Sequence, residues 1–378
     1  MKILLVSPRY IPYIGGVEYV VKSIAERLAK IGHEVTVLTG EPNTKQVREE
    51  FINNVKVIRW PTWTIREAYH IPKMRTKLIF TLKKLIREID VIHVHSAHAV
   101  LPVYIGIKVK ELNPDVKLIF SPHYHAHGHT LIRELMWQIL WRKFIKKLVK
   151  YSNKIHAVSI IEAERIVRHY PEVKDKLVVI PNGIEEDVLR YKWKGQNSDY
   201  ILYAGRIEKY KRLEVAIDLV SELNGLDYNL KLIIVGKGTY VPKLRRYAMR
   251  KIPYRVEFKA PLPRAKYLKL LANAYSVINP SLHEAFSILV AESLAIGVPA
   301  IVSETIFKIY MMYDQRFHES SIRQNTVFPN KLDELQSKLT KFKLFIIANI
   351  NRETIETWNS ITNKIVNLLY RVTTGKES

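Results

Sequence analysis

Short apolar runs of strand length alternate with amphipathic stretches of helix length along almost the whole chain, in two successive rounds. That order leaves few folds open, because consecutive strands joined by helices must run parallel, and a parallel sheet needs helices on both faces. The first round reads as strands at Lys2–Ser7, Glu34–Thr39, Val55–Arg59, Val91–His95, Lys117–Ser121, Lys154–Val158 and Leu177–Ile180. Helices are predicted between them at 17–30, 76–87, 100–110, 131–154 and 161–168. A second round follows, with strands predicted at 200–203, 231–235, 256–259, 277–279 and 300–302. Its helices fall at 213–222, 240–249, 264–272 and around Glu292. Both rounds predict Rossmann-like α/β domains with a cleft between them.

A chain of 378 residues is also longer than the ~250–300 at which a single core stops growing. The polar stretch Tyr191 to Asp199, containing Gly195-Gln196-Asn197-Ser198, reads as the linker. The expected domains are therefore 1–190 and 199–350, with a terminal helix at 352–372 crossing back to the first. Cysteine is absent, which excludes disulfides, thiolate metal sites and a cysteine nucleophile. Met1-Lys2 leads directly into Ile3-Leu4-Leu5-Val6, without the pattern of a secretory leader, and no apolar run reaches the ~18–20 residues of a spanning helix. A cytoplasmic protein, or one peripheral on the cytosolic membrane face, is expected.

Sixty Lys and Arg against 36 Asp and Glu give a net charge of +24, which calls for a polyanionic partner, substrate or surface. Arg142, Lys143, Lys146, Lys147, Lys150 and Lys154 punctuate the stretch from Leu131 to Lys154, whose Ile132, Met136, Leu140, Phe144 and Leu148 keep i,i+4 spacing. With Trp137 and Trp141 near its start, this has the composition of an interfacial anchor, though an ordinary core-facing helix with a solvated basic face would read the same way. Lys73, Arg75, Lys77, Lys83, Lys84 and Arg87 form a second basic stretch. No nucleic-acid-binding motif accompanies the charge, so no specific nucleic acid is expected. His123, His125, His127 and His129 invite a zinc reading, but alternate residues of an extended strand do not converge with their neighbours. No metal is expected.

Two carboxylates, Glu284 and Glu292, bracket Ala285-Phe286-Ser287-Ile288-Leu289-Val290-Ala291. A strand ended by Pro280 precedes them, so the segment opens a helix at a strand's C-terminal edge, where open α/β sheets bind ligands. Eight helical steps would separate the carboxylates by roughly 12 Å, too far for a glycosidase acid/base pair but suited to gripping two parts of one long ligand. Arg206 and Lys211 lie in the corresponding position after the first strand of the second round.

The Pro12-Tyr13-Ile14-Gly15-Gly16-Val17-Glu18 segment and Leu28 to Val37 resemble the opening of the retaining glycosyltransferases of family 4, which have the GT-B fold. Asp90 to His95, Ser121-Pro122-His123, Val179-Ile180-Pro181-Asn182-Gly183, Gly205-Arg206 with Lys211, Val235-Gly236-Lys237-Gly238 and the Glu284 to Glu292 block follow in that family's order. The resemblance implies hexosyl transfer from a nucleoside-diphosphate sugar to an acceptor hydroxyl of a glycan, lipid or lipid-linked sugar, with retention and without a metal or other cofactor. Arg206 and Lys211 match the cations that absorb leaving-diphosphate charge. Glu292 matches the carboxylate facing the ribose, Glu284 the one facing the donor sugar, and His123 a histidine directed at that sugar. The amides of Phe286, Ser287 and Ile288 would meet sugar or phosphate oxygens, and Gly15-Gly16 would let backbone approach a phosphate or sugar.

The pattern breaks after Ser303-Glu304. The family's Gly-Gly turn is replaced by Thr305-Ile306-Phe307-Lys308-Ile309-Tyr310, and Ala260 stands where glycine is usual. Donor-sugar and base identity are therefore not legible. Loss of turnover, leaving a nucleotide-sugar-binding protein, or a basic scaffold on a membrane or nucleic acid remain alternatives.

Overall fold

The computed structural model describes residues 1–13, 15–42, 44–65, 68–124, 141–311 and 332–375. The chain divides into two compact units, Met1–Asn182 with Trp358–Ser378, and Gly183–Thr357.

In the first unit β1 (Lys2–Ser7) leads to α1 (Gly16–Lys30), β2 (Glu34–Glu41), β3 (Arg48–Ile52), β4 (Val55–Ile65), β5 (Ala68–Pro72) and α2 (Arg75–Leu85). Then come β6 (Val91–His95), α3 (Val100–Leu112), β7 (Lys117–Ser121), α4 (Arg142–Tyr151), β8 (Lys154–Ala157), α5 (Ile160–His169) and β9 (Leu177–Val179). The sheet order is β3-β4-β2-β1-β6-β7-β8-β9, with β5 added to β4. β1 pairs in parallel with β2 from Lys2↔Glu34 to Ser7↔Thr39 and with β6 from Ile3↔Val91 to Val6↔Val94. Its alternation divides the apolar side chains between two layers. Leu4 and Val6 pack with Leu78, Leu82, Leu101 and Leu148, whereas Ile3 and Leu5 pack with Val20, Ile24 and Leu28 of α1.

The second unit runs β10 (Tyr200–Ala204), α6 (Leu213–Asn224), β11 (Lys231–Val235), α7 (Val241–Lys251), β12 (Val256–Lys259), α8 (Arg264–Ala272) and β13 (Ser276–Asn279). It continues through α9 (Ile288–Ile296), β14 (Ala300–Ser303), α10 (Glu304–Met311), α11 (Leu332–Phe342) and β15 (Leu344–Ile347). Its order is β12-β11-β10-β13-β14-β15, parallel except for β15, which is antiparallel to β14. The strand order reverses between β10 and β13, so the loops after those two strands flank the crevice of a doubly wound sheet.

The last helix, α12 (Trp358–Thr374), lays Trp358, Ile361, Ile365, Leu368, Leu369 and Val372 into the α1 layer of the first unit. Residues 183–190, assigned from sequence to the first domain, go with the second unit. A short 3-10 turn at Glu186–Arg190 is tied there by Asp187, which accepts from Arg264. The polar stretch at 191–199 is likewise anchored, with Trp193 Nε1 donating to the Ala274 carbonyl at 2.9 Å.

The expected basic helix is described only as α4, since residues 125–140 lie outside the described part. Its buried stripe is Ile145, Leu148 and Val149, so of the i,i+4 series Leu148 is buried while Phe144 is 51% exposed. Part of the basic face is paired: Lys147 donates to Glu111 at 2.6 Å, and Lys146 lies 3.9 Å from Glu172. No helix among the described residues is long and apolar enough to cross a membrane.

Candidate active site

The β10–α6 loop places Arg206 and Lys211 at the C-terminal edge of the second sheet. Lys211 sits in a 3-10 turn, Lys209–Lys211, that ends in left-handed Arg212, the N-cap of α6. Loop packs on loop. Ile207 N donates to the Lys237 carbonyl and Gly205 N to the Val235 carbonyl, both at 3.0 Å. Glycine is needed there, because a Cβ on Gly236, whose φ is +150°, would stand 1.9 Å from the Gly205 carbonyl oxygen.

Lys211 Nζ donates to Glu284 Oε1 at 2.5 Å, with the two side chains 14% and 10% exposed. Burial by itself would depress the ammonium, but Glu284 and the Tyr203 and Tyr210 hydroxyls more than offset that and hold its pKa above the usual lysine range. The ammonium stays charged. Arg206 is exposed and donates to the Tyr210 hydroxyl at 2.9 Å. The two cations therefore differ: one is fixed in a pair, the other faces solvent.

Glu284 lies in the loop before α9, not on the helix as the 12 Å spacing assumed. Asn279, at the end of β13, donates to Ser287 Oγ at 2.9 Å and to Glu284 Oε1 at 3.4 Å, so one amide fixes both sides of the loop. Ser287 is the extended N-cap of α9 and its side chain makes no cap bond. The amides of the helix's first turn, beginning with Ile288, thus receive no cap from Ser287, and helix-start amides of this kind can bind an anion or sugar oxygen. The segment that departs from the family pattern supports this loop. Tyr310 of α10 donates to the Ser287 carbonyl at 2.6 Å, and its ring lies 5.7 Å from that of Phe286.

Glu292 is 2% exposed and is the one charged residue of α9, whose residues from Leu289 to Ile296 are all buried. Arg264 Nη1 donates to its Oε1 at 2.5 Å and the Tyr267 hydroxyl to its Oε2 at 2.7 Å. Burial pushes the carboxyl up, against the pull of Arg264 and Tyr267. Arg264, Tyr267, Asp187 and Asn279 were not singled out from sequence; the positive residue opening α8 after Pro263 was the only signal, and only the fold brings it to Glu292.

In the first unit Gly15 caps α1 with extended backbone and no side-chain bond, and Glu18 folds against it. His123 follows β7 with a left-handed φ of 48°, sparsely populated for a side-chain-bearing residue. Its Nε2 shares a hydrogen bond with His95 Nδ1 at 3.2 Å. His95 is thus a buried partner of His123, their rings stacked with centroids 5.5 Å apart, and its ring lies tilted 4.1 Å from that of His93. Ser121 links His93 (2.7 Å) to His156 (2.8 Å), and His156 Nε2 donates to the Ile180 carbonyl. Burial, then the neighbouring His156 and His98, lowers His123 to about 3. Glu162 holds the turn, accepting from Tyr124 N at 2.5 Å and Val158 N at 2.7 Å. His125, His127 and His129 lie outside the described residues. Among the described residues no cluster of three His, Cys, Asp or Glu is placed to hold a metal.

The two Rossmann-like units, each with its candidate residues at the C-terminal strand ends, define the GT-B fold. Residues 14–188 match the model of Glycosyltransferase Family 4, and residues 187–311 that of Glycosyl transferases group 1. The chain belongs to this family of glycosyltransferases. It is 26% identical to an uncharacterized glycosyltransferase of Methanocaldococcus jannaschii, over 97% of both chains. To the alpha-monoglucosyldiacylglycerol synthase of Acholeplasma laidlawii it is 24% identical, over 90% of this chain and 87% of that one. Among solved structures, sucrose-phosphate synthase from Thermosynechococcus elongatus superposes with a TM-score of 0.70 at 16% identity, over 99% of this chain and 100% of that one. Anabaena HepE in complex with UDP-glucose gives 0.67 at 15%, over 98% and 99%.

Proposed function

We propose that the chain is a retaining hexosyltransferase that uses a nucleoside-diphosphate sugar without a metal ion and delivers the sugar to a hydroxyl of a lipid or lipid-linked acceptor. The observation that carries this reading is the junction of the β10 and β13 loops, where the buried Lys211–Glu284 pair and the solvent-facing Arg206 adjoin the uncapped amides of α9. Fixed cations and helix amides suit a diphosphate whose charge grows as its bond to the sugar breaks. Glu284, held by Asn279 and Lys211, is placed for sugar hydroxyls, and Glu292 for the ribose. In this proposal His123 acts on the donor sugar as a neutral group, through its carbonyl or imidazole. The leaving phosphate oxygen takes the acceptor's proton on the same face, so the acceptor oxygen bonds to the anomeric carbon as the phosphate departs. The lipid preference is supported by the basic α4 face and by the similarity to the Acholeplasma alpha-monoglucosyldiacylglycerol synthase.

A thermal-shift screen of the wild type and Glu292→Ala against UDP, GDP, ADP and their glucose, mannose and N-acetylglucosamine forms, in EDTA, tests the donor. One nucleotide should raise the midpoint by mass action, and the shift should vanish in the variant. No shift with any of them would sink the reading, as would an inverted anomeric configuration in the NMR spectrum of the product.

A further inference from the structure

We infer that Arg264 and Tyr267 are positioning residues that hold Glu292 ionised and oriented for the ribose hydroxyls of the donor nucleotide. The inference rests on the donor reading above. It adds two side chains of α8 and gives each a task.

Arg264 bridges two carboxylates. Its Nε and Nη2 donate to Asp187 Oδ2 and Oδ1 at 3.1 and 2.9 Å, while Nη1 reaches Glu292 Oε1 at 2.5 Å. Tyr267, one turn along the same helix, donates to the other Glu292 oxygen at 2.7 Å, and its ring lies 5.7 Å from the Arg264 guanidinium. Each carboxylate oxygen therefore already has one donor and keeps a second lone pair. Two oxygens with one open site each match the two adjacent hydroxyls of a ribose. The bidentate contact to Asp187 fixes the guanidinium plane, so Nη1 cannot swing away and vacate Glu292.

The need for this support follows from burial. At 2% exposure Glu292 has lost water, and an unpaired carboxylate there would take up a proton. A protonated carboxyl donates from one oxygen and no longer accepts equally at both. The groups facing it are Arg264 and Tyr267 from α8 and, at longer range, Asp187 from the 186–190 turn. Arg352, from the turn packed on α9, reaches Gly297 at the far end of that helix.

The test measures Kd by calorimetry for UDP, GDP and ADP and for their 2′-deoxy counterparts, at pH 6.5, 7.5 and 9, on the wild type, Arg264→Gln, Arg264→Lys and Tyr267→Phe. Hydrogen bonds to a charged group are worth roughly tenfold to a hundredfold in affinity. The wild type should therefore prefer the ribonucleotide by about tenfold or more at pH 7.5. In Arg264→Gln that preference should fall below about threefold at pH 7.5 and return towards pH 9, as Glu292 loses its proton. Arg264→Lys should keep part of it. Tyr267→Phe, which leaves the ring in place, should reduce it with no change in fold. An Arg264→Gln protein that keeps the wild-type preference at every pH, or loses ribo- and deoxyribonucleotide equally, overturns the inference and leaves the donor reading standing. If Arg264→Gln does not fold, an undiminished preference in Tyr267→Phe overturns it. Failure of the wild type to bind any of the three nucleotides overturns the donor reading and this inference together.

Discussion

At the scale of single residues, the first unit carries four imidazoles that have left water. His93, His95, His123 and His156 are at most 5% exposed, and burial is the leading cause of a lowered pKa in each, with His123 brought to about 3 and His156 to about 4. A histidine depressed on folding is neutral in the native chain and protonated in the unfolded one between the two values, so stability is lost as pH falls below about 6.5. Each withdraws about 1.4 kcal/mol per pH unit in that window. Glu162, raised by burial to about 7, acts with the opposite sign, because the native carboxyl holds a proton that the unfolded one has released. Four imidazoles against Glu162 and the likewise raised Glu292 leave a net loss. The thermal midpoint is expected to fall sharply between pH 6.5 and 4.5, and replacing His156 by Gln, which can still donate to the Ile180 carbonyl, should flatten that slope. A midpoint indifferent to pH over this range would contradict the neutral-imidazole account.

At the scale of elements, α12 completes the α1 layer. Trp358 is fully buried, its ring edge-on to Tyr19 at 6.0 Å and its Nε1 donating to the Tyr19 hydroxyl at 3.3 Å. Trp358→Ala is expected to cost about 3–5 kcal/mol, read from the midpoint of urea unfolding; a loss below ~1 kcal/mol would mean that the helix is dispensable to the layer. Elements with two buried faces were the ones legible in sequence. β1, β6, β7 and β11 fall where their apolar runs put them, because interior strands read as continuous apolar stretches. β3, Arg-Glu-Glu-Phe-Ile, was not read, since an edge strand with Phe51 77% exposed has no alternation to show. β15 and α10 were missed in the segment where a family pattern was sought and not found. Yet Ile306, Ile309 and Tyr310, which α10 buries, carry a helical spacing. Of the candidate site, Lys211, Glu284 and Glu292 were singled out through motif order. Arg264 and Asp187 were not, because contacts across 77 and 28 positions leave no local trace, and Asn279, only five positions before Glu284, read simply as the end of a strand.

At the scale of the whole molecule, a net charge of +24 outlasts its internal pairings. Glu111 takes both Lys108 and Lys147 and Glu222 takes Lys338 and Lys341, yet Lys143 and Lys150 on α4 remain exposed, as does Phe144. Vesicles containing anionic phospholipid are expected to co-sediment the protein at low salt and release it at high salt. Replacing Lys146, Lys147 and Lys150 with Glu should reduce the bound fraction severalfold. Partitioning that ignores both changes would remove the membrane from the proposed acceptor chemistry.

The first unit is also discontinuous in the chain. Residues 1–182 emerge from the ribosome long before Trp358, with the whole of Gly183–Thr357 made in between. At about 5–20 residues per second, the α1 layer waits on the order of ten to thirty seconds for the helix that covers it. During that time Val20, Ile24 and Leu28 have no α12 against them, although the second unit, begun later, has all of its own strands. Birth order and completion order are thus reversed, and the nascent chain presents a sticky apolar strip that a chaperone would have to shield until α12 emerges.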